Sequence, residues 1–159
     1  MKKILLNQNK FTLVDDEDYE WLNQWKWSVG TKRNTQYAIR NIWRDGKRTT
    51  TTMHQVILNT PKEMVSDHVN GDGLDNCRDN LRICTQSNNC MNRSQQKGTS
   101  KYKGVSLHSK EGKWKSRIKT KGEIYNLGHY KTEEEAACVY NIAAKIMFGN
   151  FARLNQIGR

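Results

Sequence analysis

Residues 113–120, KWKSRIKT, put Lys113, Lys115, Arg117 and Lys119 on one parity and Trp114, Ser116 and Ile118 on the other. Successive side chains of a strand point to opposite faces, so this run reads as a strand with one cationic face and one core face. Turn signals bracket it, Lys110-Glu111-Gly112 before and Lys121-Gly122 after, which marks 102–107, 113–120 and 123–130 as three strands joined by hairpins. A helix must cover the core face. Thr132-Glu133-Glu134-Glu135 is a capping box, and Ala136, Val139, Tyr140, Ala143, Ala144 and Met147 form one apolar stripe before Gly149. The second half is therefore expected to be a three-stranded antiparallel sheet packed on one helix, within an α+β chain.

The 159 residues suffice for one medium domain or two small ones, and with 35% apolar residues the cores must be small and built on aromatic anchors. Lys and Arg outnumber Asp and Glu by 27 to 16, which points to a polyanionic partner. The surplus is uneven: residues 1–60 carry ten basic and six acidic side chains, 61–96 four and five, and 97–159 thirteen and five. A locally acidic stretch inside a basic chain suits a divalent cation, and the basic tail suits nucleic acid. No apolar run approaches the ~20 residues of a membrane span and the first ten residues make no leader, so a soluble cytoplasmic protein with no membrane partner is expected. Cys77, Cys84, Cys90 and Cys138 include no Cys-x-x-Cys pair, which disfavours a structural zinc; small buried thiols are the preferred reading.

Nearer the start, 11–14 reads as a strand and 16–24 as a short helix with an acidic first turn. Trp25, Trp27 and Val29, then Tyr37, Ile39 and Trp43, alternate with polar residues, and Asp45-Gly46 turns into a threonine run; these form a meander whose tryptophans are assigned to the core rather than to base stacking. One or two helical turns are expected over 53–58, stopped by Pro61.

The stretch 65–93 reads as strand, glycine-containing loop, strand and helix, a topology in which Asp67, His68, Asn80 and Asn89 can meet in one cleft. The segment DHVNGDGLDNCRDNLRICTQSNN resembles the HNH nuclease motif, the ββα-metal fold of phage and intron-encoded homing endonucleases, with its core over 63–93. The resemblance implies a general base at His68 and one Mg²⁺ or Mn²⁺ held by Asp67 and Asn89. Asn80 is expected to orient the His68 ring by accepting a hydrogen bond from its other nitrogen. Asp72, Asp75 and Asp79 are read as loop caps rather than ligands. His54 resembles the Met-His element that precedes the motif, and is read as a histidine packed under the unit.

Residues 100–155 resemble the plant ethylene-response-factor (AP-two) DNA-binding domain, in Tyr102-Lys103-Gly104-Val105, Gly112-Lys113-Trp114, Leu127-Gly128 with Tyr130, the Glu-Glu-Ala-Ala helix start and Leu154-Asn155. This implies a sheet face that enters the major groove of double-stranded DNA. Lys103, Ser106, His108, Lys113, Lys115, Arg117 and Lys119 are expected on that face, and Trp114 against sugar or phosphate despite its core parity.

These readings give an N-terminal HNH nuclease domain over 1–93, a linker over 94–100 and an AP-two-like domain over 101–159. The function they imply is a metal-dependent homing-type endonuclease that nicks or cuts DNA as a monomer or weak dimer, inside a host cell if phage-encoded. The alternative is a transcriptional or architectural regulator with a degenerate HNH unit.

Overall fold

Only Ile4 and Leu6 of the first ten residues are buried, too few inward positions to announce a strand. They nevertheless belong to a hairpin, β1 (Lys2–Leu5) antiparallel to β2 (Phe11–Val14). The computed structural model describes residues 1–32, 34–94 and 98–158, and the chain divides into two units, Met1–Asn89 and Cys90–Arg159.

In the first unit, α1 (Asp16–Asn23) starts with Asp16, Glu17 and Asp18, whose charges suit the helix N-terminus. Asp18 is buried because Arg78 forks onto it, Nε and Nη2 donating to its two carboxylate oxygens at 2.7 Å each. The meander follows as β3 (Ser28–Lys32), β4 (Thr35–Arg44) and β5 (Lys47–Thr52), ordered β3-β4-β5 and antiparallel. Trp25 and Trp27 lie before β3 rather than within it: the Trp27 indole donates to the Leu22 carbonyl, and the Arg40 guanidinium stacks over both rings. Trp43 departs from the core assignment and stands exposed.

After β5, α2 (Met53–Ile57) is started by a Thr52–Gln55 capping box. The β6 (Val65–His68) and β7 (Leu81–Cys84) strands pair antiparallel, with Arg78–Asn80 as a 3₁₀ turn before β7 and α3 (Gln86–Met91) after it. Ile4, Val14, Leu22, Ala38, Met53, Ile57 and Leu81 share one core, so the hairpin, both helices, the meander and β7 support one another.

In the second unit β8 (Val105–His108), β9 (Lys113–Thr120) and β10 (Glu123–Tyr130) form an antiparallel sheet in the order β10-β9-β8. The helix α4 (Glu133–Phe148) lies on it, its Thr132 cap accepting from the Glu135 amide at 3.1 Å. Its buried stripe is Ala136, Ala137, Tyr140, Ala144 and Phe148; Phe148, not Met147, fills the last turn. Gly104 allows the close approach of strand and helix, since at φ +78° a Cβ there would fall 2.0 Å from the Tyr140 ring. Part of the expected linker, 95–97, lies outside the described residues, while Thr99 and Ser100 bond Leu107 and Glu133 of this unit. The architecture is α+β.

Candidate functional site

His68 ends β6 and is 5% exposed. Its Nε2 lies 3.3 Å from the Asn76 side-chain oxygen. The Asn76 amide nitrogen donates to Thr12 Oγ1 at 2.7 Å, and the Thr12 hydroxyl donates to the Leu74 carbonyl at 2.6 Å. This relay fixes every proton along it: with Thr12 spending its hydrogen on Leu74, Asn76 must present N–H to Thr12 and its oxygen to His68. The neutral ring therefore carries its proton on Nε2, and Nδ1 is the basic nitrogen.

Asn80, expected to orient this ring, does something else. Its side-chain oxygen accepts from the Asn70 amide at 2.9 Å and its nitrogen donates to the Asp75 carbonyl at 2.8 Å, which braces the β6–β7 loop. Asn76 takes the orienting role, because β2 carries Thr12 to the loop: the Leu13 amide donates to the Leu74 carbonyl and the Asn76 amide to the Leu13 carbonyl. Asp72 caps the same loop by accepting from the Leu74 amide, and Asp75 accepts from Asn70, as loop-cap readings require. Nothing in one sequence distinguishes Asn76 from its neighbours; the pairing of β2 with the loop selects it.

His54, from α2, places its ring 4.6 Å from that of His68 at 79°, and Tyr37 of β4 touches both, at 5.6 and 5.9 Å between centroids. Gly73 makes room for this packing: a Cβ there would meet the Gln36 carbonyl at 2.3 Å and the Tyr37 ring at 2.6 Å. Burial and the neighbouring His68 hold the His54 pKa down to about 3, and burial also lowers that of His68 against the opposing pull of Asn76, Asp67, Asp72 and Asp75. Both rings are thus neutral at pH 7. His54 Nε2 meets Thr52 Oγ1 at 3.1 Å, while Nδ1 is buried with no hydrogen-bond partner among the described residues.

Asp67, the expected cation ligand, is buried beside Arg82 of β7, whose Nε and Nη2 donate to Oδ2 at 3.0 and 2.7 Å. The cross-strand register Asp67↔Arg82 imposes the pair. Asn89 lies on α3, one turn past Thr85, where its amide donates to the Thr85 carbonyl. Among the described residues no group of three or more His, Cys, Asp and Glu side chains could hold a metal ion. Asp67 and Asn89 nevertheless offer hard oxygen donors, and two protein donors completed by phosphate and water suit Mg²⁺. The donor chemistry fits; Arg82 is a competitor for the carboxylate.

In the second unit, pairing across β8-β9-β10 assembles the expected cationic face. Lys115 lies opposite Ser106 and His129, Lys113 opposite His108, Arg117 opposite Asn126 and Lys119 opposite Ile124. Ser116 and Ile118 of the other parity are buried. Two expectations are corrected. Trp114 packs against the Tyr102, Val105, Ala136 and Ala137 cluster, as its parity demands, and does not face out. Lys103 precedes β8, and its ammonium donates to the Met91 carbonyl; burial pulls its pKa down to about 8. Asn126 and His129 were missed. Strand register places them beside Arg117 and Lys115, and His129 also stacks near His108 at 5.2 Å.

Among the described residues no helix is long and apolar enough to cross a membrane. No protein-family model matches the chain. It is 35% identical over 97 residues to an uncharacterized HNH endonuclease of Acanthamoeba polyphaga mimivirus, a match covering 61% of this chain and 50% of that protein. Protein 3.8 of Escherichia phage T7 is 29% identical over 94 residues, covering 58% of this chain and 77% of that one. An AP2-like ethylene-responsive transcription factor of Arabidopsis thaliana is 50% identical over 53 residues, 30% of this chain and 14% of the factor. The chain thus spans half the mimivirus protein and a small part of the plant one, and its similarities run to an HNH endonuclease and to an AP2-like factor.

Proposed function

We propose that the chain is a metal-dependent, homing-type HNH endonuclease that hydrolyses phosphodiesters in double-stranded DNA, its first unit cleaving and its second holding the duplex. The single observation that carries the reading is the Leu74–Thr12–Asn76–His68 relay. A buried imidazole held in one tautomer, with Nδ1 basic, is what a general base requires, and it sits within a segment similar to an HNH endonuclease. His68 Nδ1 takes a proton from water as the water oxygen bonds to phosphorus. The P–O3′ bond breaks, O3′ takes a proton from solvent water, and the products are a 3′-hydroxyl and a 5′-phosphate. Asp67 and Asn89 would hold Mg²⁺ or Mn²⁺, which when bound supplies positive charge to the leaving oxygen. Tethering by the second unit raises the local concentration of DNA at a site with few metal donors. Cleavage of one strand per visit suits a monomer or weak dimer.

A regulator with a degenerate nuclease unit is the second reading, and the Arg82 guanidinium on Asp67 favours it. A supercoiled plasmid incubated with Mg²⁺ or with EDTA separates the two. The endonuclease reading expects nicking that EDTA abolishes and that His68→Ala lowers by about 10²–10⁴-fold while DNA binding persists. Binding without metal-dependent nicking establishes the regulator instead.

A further inference from the structure

The β3 partner of β4 ends at the Ser28↔Ile39 pair, yet β4 and β5 continue together to Arg44↔Lys47. Beyond Ile39 the meander therefore becomes a two-stranded ribbon, closed by Asp45 and Gly46 at φ +49° and +70°. Its residues have little to bury: Asn41, Trp43, Lys47, Arg48, Thr49 and Thr50 are all exposed, Trp43 by 73%. The exposed indole offers a large flat apolar face with a polar N–H edge, the kind of side chain that interfaces use. The residues of β4–β5 carry four basic side chains against one acidic.

The ribbon's two faces differ. Ala38 and Arg40 point to the core side, where Arg40 covers Trp25 and Trp27. The opposite parity begins with Tyr37, against His54 and His68, and continues through Ile39 and Asn41 to Trp43, with Thr52, Thr50 and Arg48 paired across. Thr50 Oγ1 donates to the Asn41 side-chain oxygen at 3.0 Å, aligning that amide on the face. The residues beside the candidate base and those at the ribbon tip thus share one continuous surface. Six residue-to-residue steps along the strand separate Tyr37 from Trp43, ~20 Å at ~3.4 Å each, or about six base pairs at ~3.4 Å per step.

We propose that this ribbon is the DNA-reading element of the first unit, entering the major groove about six base pairs from the cleaved bond. The inference rests on the endonuclease reading above. A two-stranded ribbon fits the major groove, where Arg reads guanine and Asn reads adenine; Arg48 and Asn41 supply those groups, and Trp43 supplies stacking area. The second unit's face is mainly lysine, a point charge, which suits tethering more than reading.

The full-length protein, Trp43→Ala, Trp43→Phe and Arg48→Ala are compared in two ways. A mixed-sequence 40-base-pair duplex is titrated in EDTA at several salt concentrations, and nicks made in a plasmid with Mg²⁺ are sequenced. Each alanine variant is expected to weaken binding about tenfold, Trp43→Phe to recover most of that loss, and Arg48→Ala to lower the salt slope by about one. Arg48→Ala is also expected to flatten the base preference about six positions from the nick. Wild-type binding, salt slope and nick-site preference in both alanine variants would overturn the ribbon proposal while leaving the endonuclease standing. Binding by the wild type with no nicking sinks the endonuclease reading, and the salt series then still decides whether the ribbon holds DNA.

Discussion

In the first unit the side chains able to act on a bond are buried, His68 5% exposed, His54 7% and Asp67 8%, whereas in the second unit Lys113, Arg117 and Lys119 stand exposed on the outer face of one sheet. The contrast is what the proposed division of labour asks for. An imidazole used as a base needs one tautomer and a set pKa, and both come from neighbours that exclude water. A cation that meets phosphate needs reach and a countercharge that arrives with the partner, so it stays solvated until binding. The first arrangement couples chemistry to stability, and the second separates them.

Acid should expose that coupling most strongly. His54 has an ordinary pKa of 6.5 held down to about 3 in the fold. Between those values the unfolded chain binds a proton that the folded chain refuses, so stability rises with pH through the window and is lost on acidification. The slope for one such group approaches about 1.4 kcal/mol per pH unit. Urea denaturation of the full chain from pH 7 to pH 4 should show this loss, and His54→Gln should reduce it. An unchanged slope in that variant would remove His54 as its source.

A smaller loss is expected at Asn76, which is fully buried and bonded on both sides, to His68 and to Thr12. Asn76→Ala removes the hydrogen bonds to His68 Nε2 and to Thr12 Oγ1 from a buried site, a cost of about 2 kcal/mol. It should also release the His68 tautomer, which ¹⁵N spectra of the imidazole would report as a shift from Nε2–H toward a mixture. A single preserved tautomer would mean that another group orients the ring.

How much of this was legible beforehand follows the same division. The second unit was readable because its signals are local: parity in β9, turn residues at both hairpins and a capping box for α4 each lie within a few positions. What escaped was the register partner, such as Asn126 opposite Arg117, the inward packing of Trp114 and the engagement of Lys103 with the Met91 carbonyl. In the first unit local pattern located β6, β7 and α3 and brought His68 to a strand end. The partners of His68 did not follow, because Asn76 meets Thr12 across 64 positions and His54 meets His68 only through the packing of α2. Arg82 escaped for a similar reason: the Asp67↔Arg82 pair exists only once the strands are in register. Trp43 was misassigned because alternation marks a strand, and nothing in it says where β3 stops covering that strand.

On the cationic face single changes should be modest and uniform. Lys115→Ala or Lys119→Ala should each reduce the salt slope of duplex binding by about 0.9 if the side chain neutralises one phosphate. Melting temperature should hold nearly constant, since these side chains cover no core. A full slope in both variants would show that DNA lies elsewhere.

Lys103 supplies the smallest effect and the sharpest contrast with those lysines. Its ammonium is turned onto the Met91 carbonyl and partly shielded from water, which pulls its pKa from 10.5 to about 8. A group so engaged has little to give to phosphate, although in sequence it looks like every other lysine of the tail. Lys103→Met should therefore leave the salt slope unchanged and alter duplex affinity by no more than about twofold, less than the loss of one phosphate contact. Its trace should appear in stability at high pH. Between pH 8 and 10.5 the unfolded lysine holds a proton that the folded one has released, so the wild type gains stability as pH rises through that window, and Lys103→Met should lose this gain. A reduced salt slope with an unaltered pH profile would place Lys103 among the phosphate contacts after all, and the boundary between displayed and buried charge in this unit would have to be redrawn.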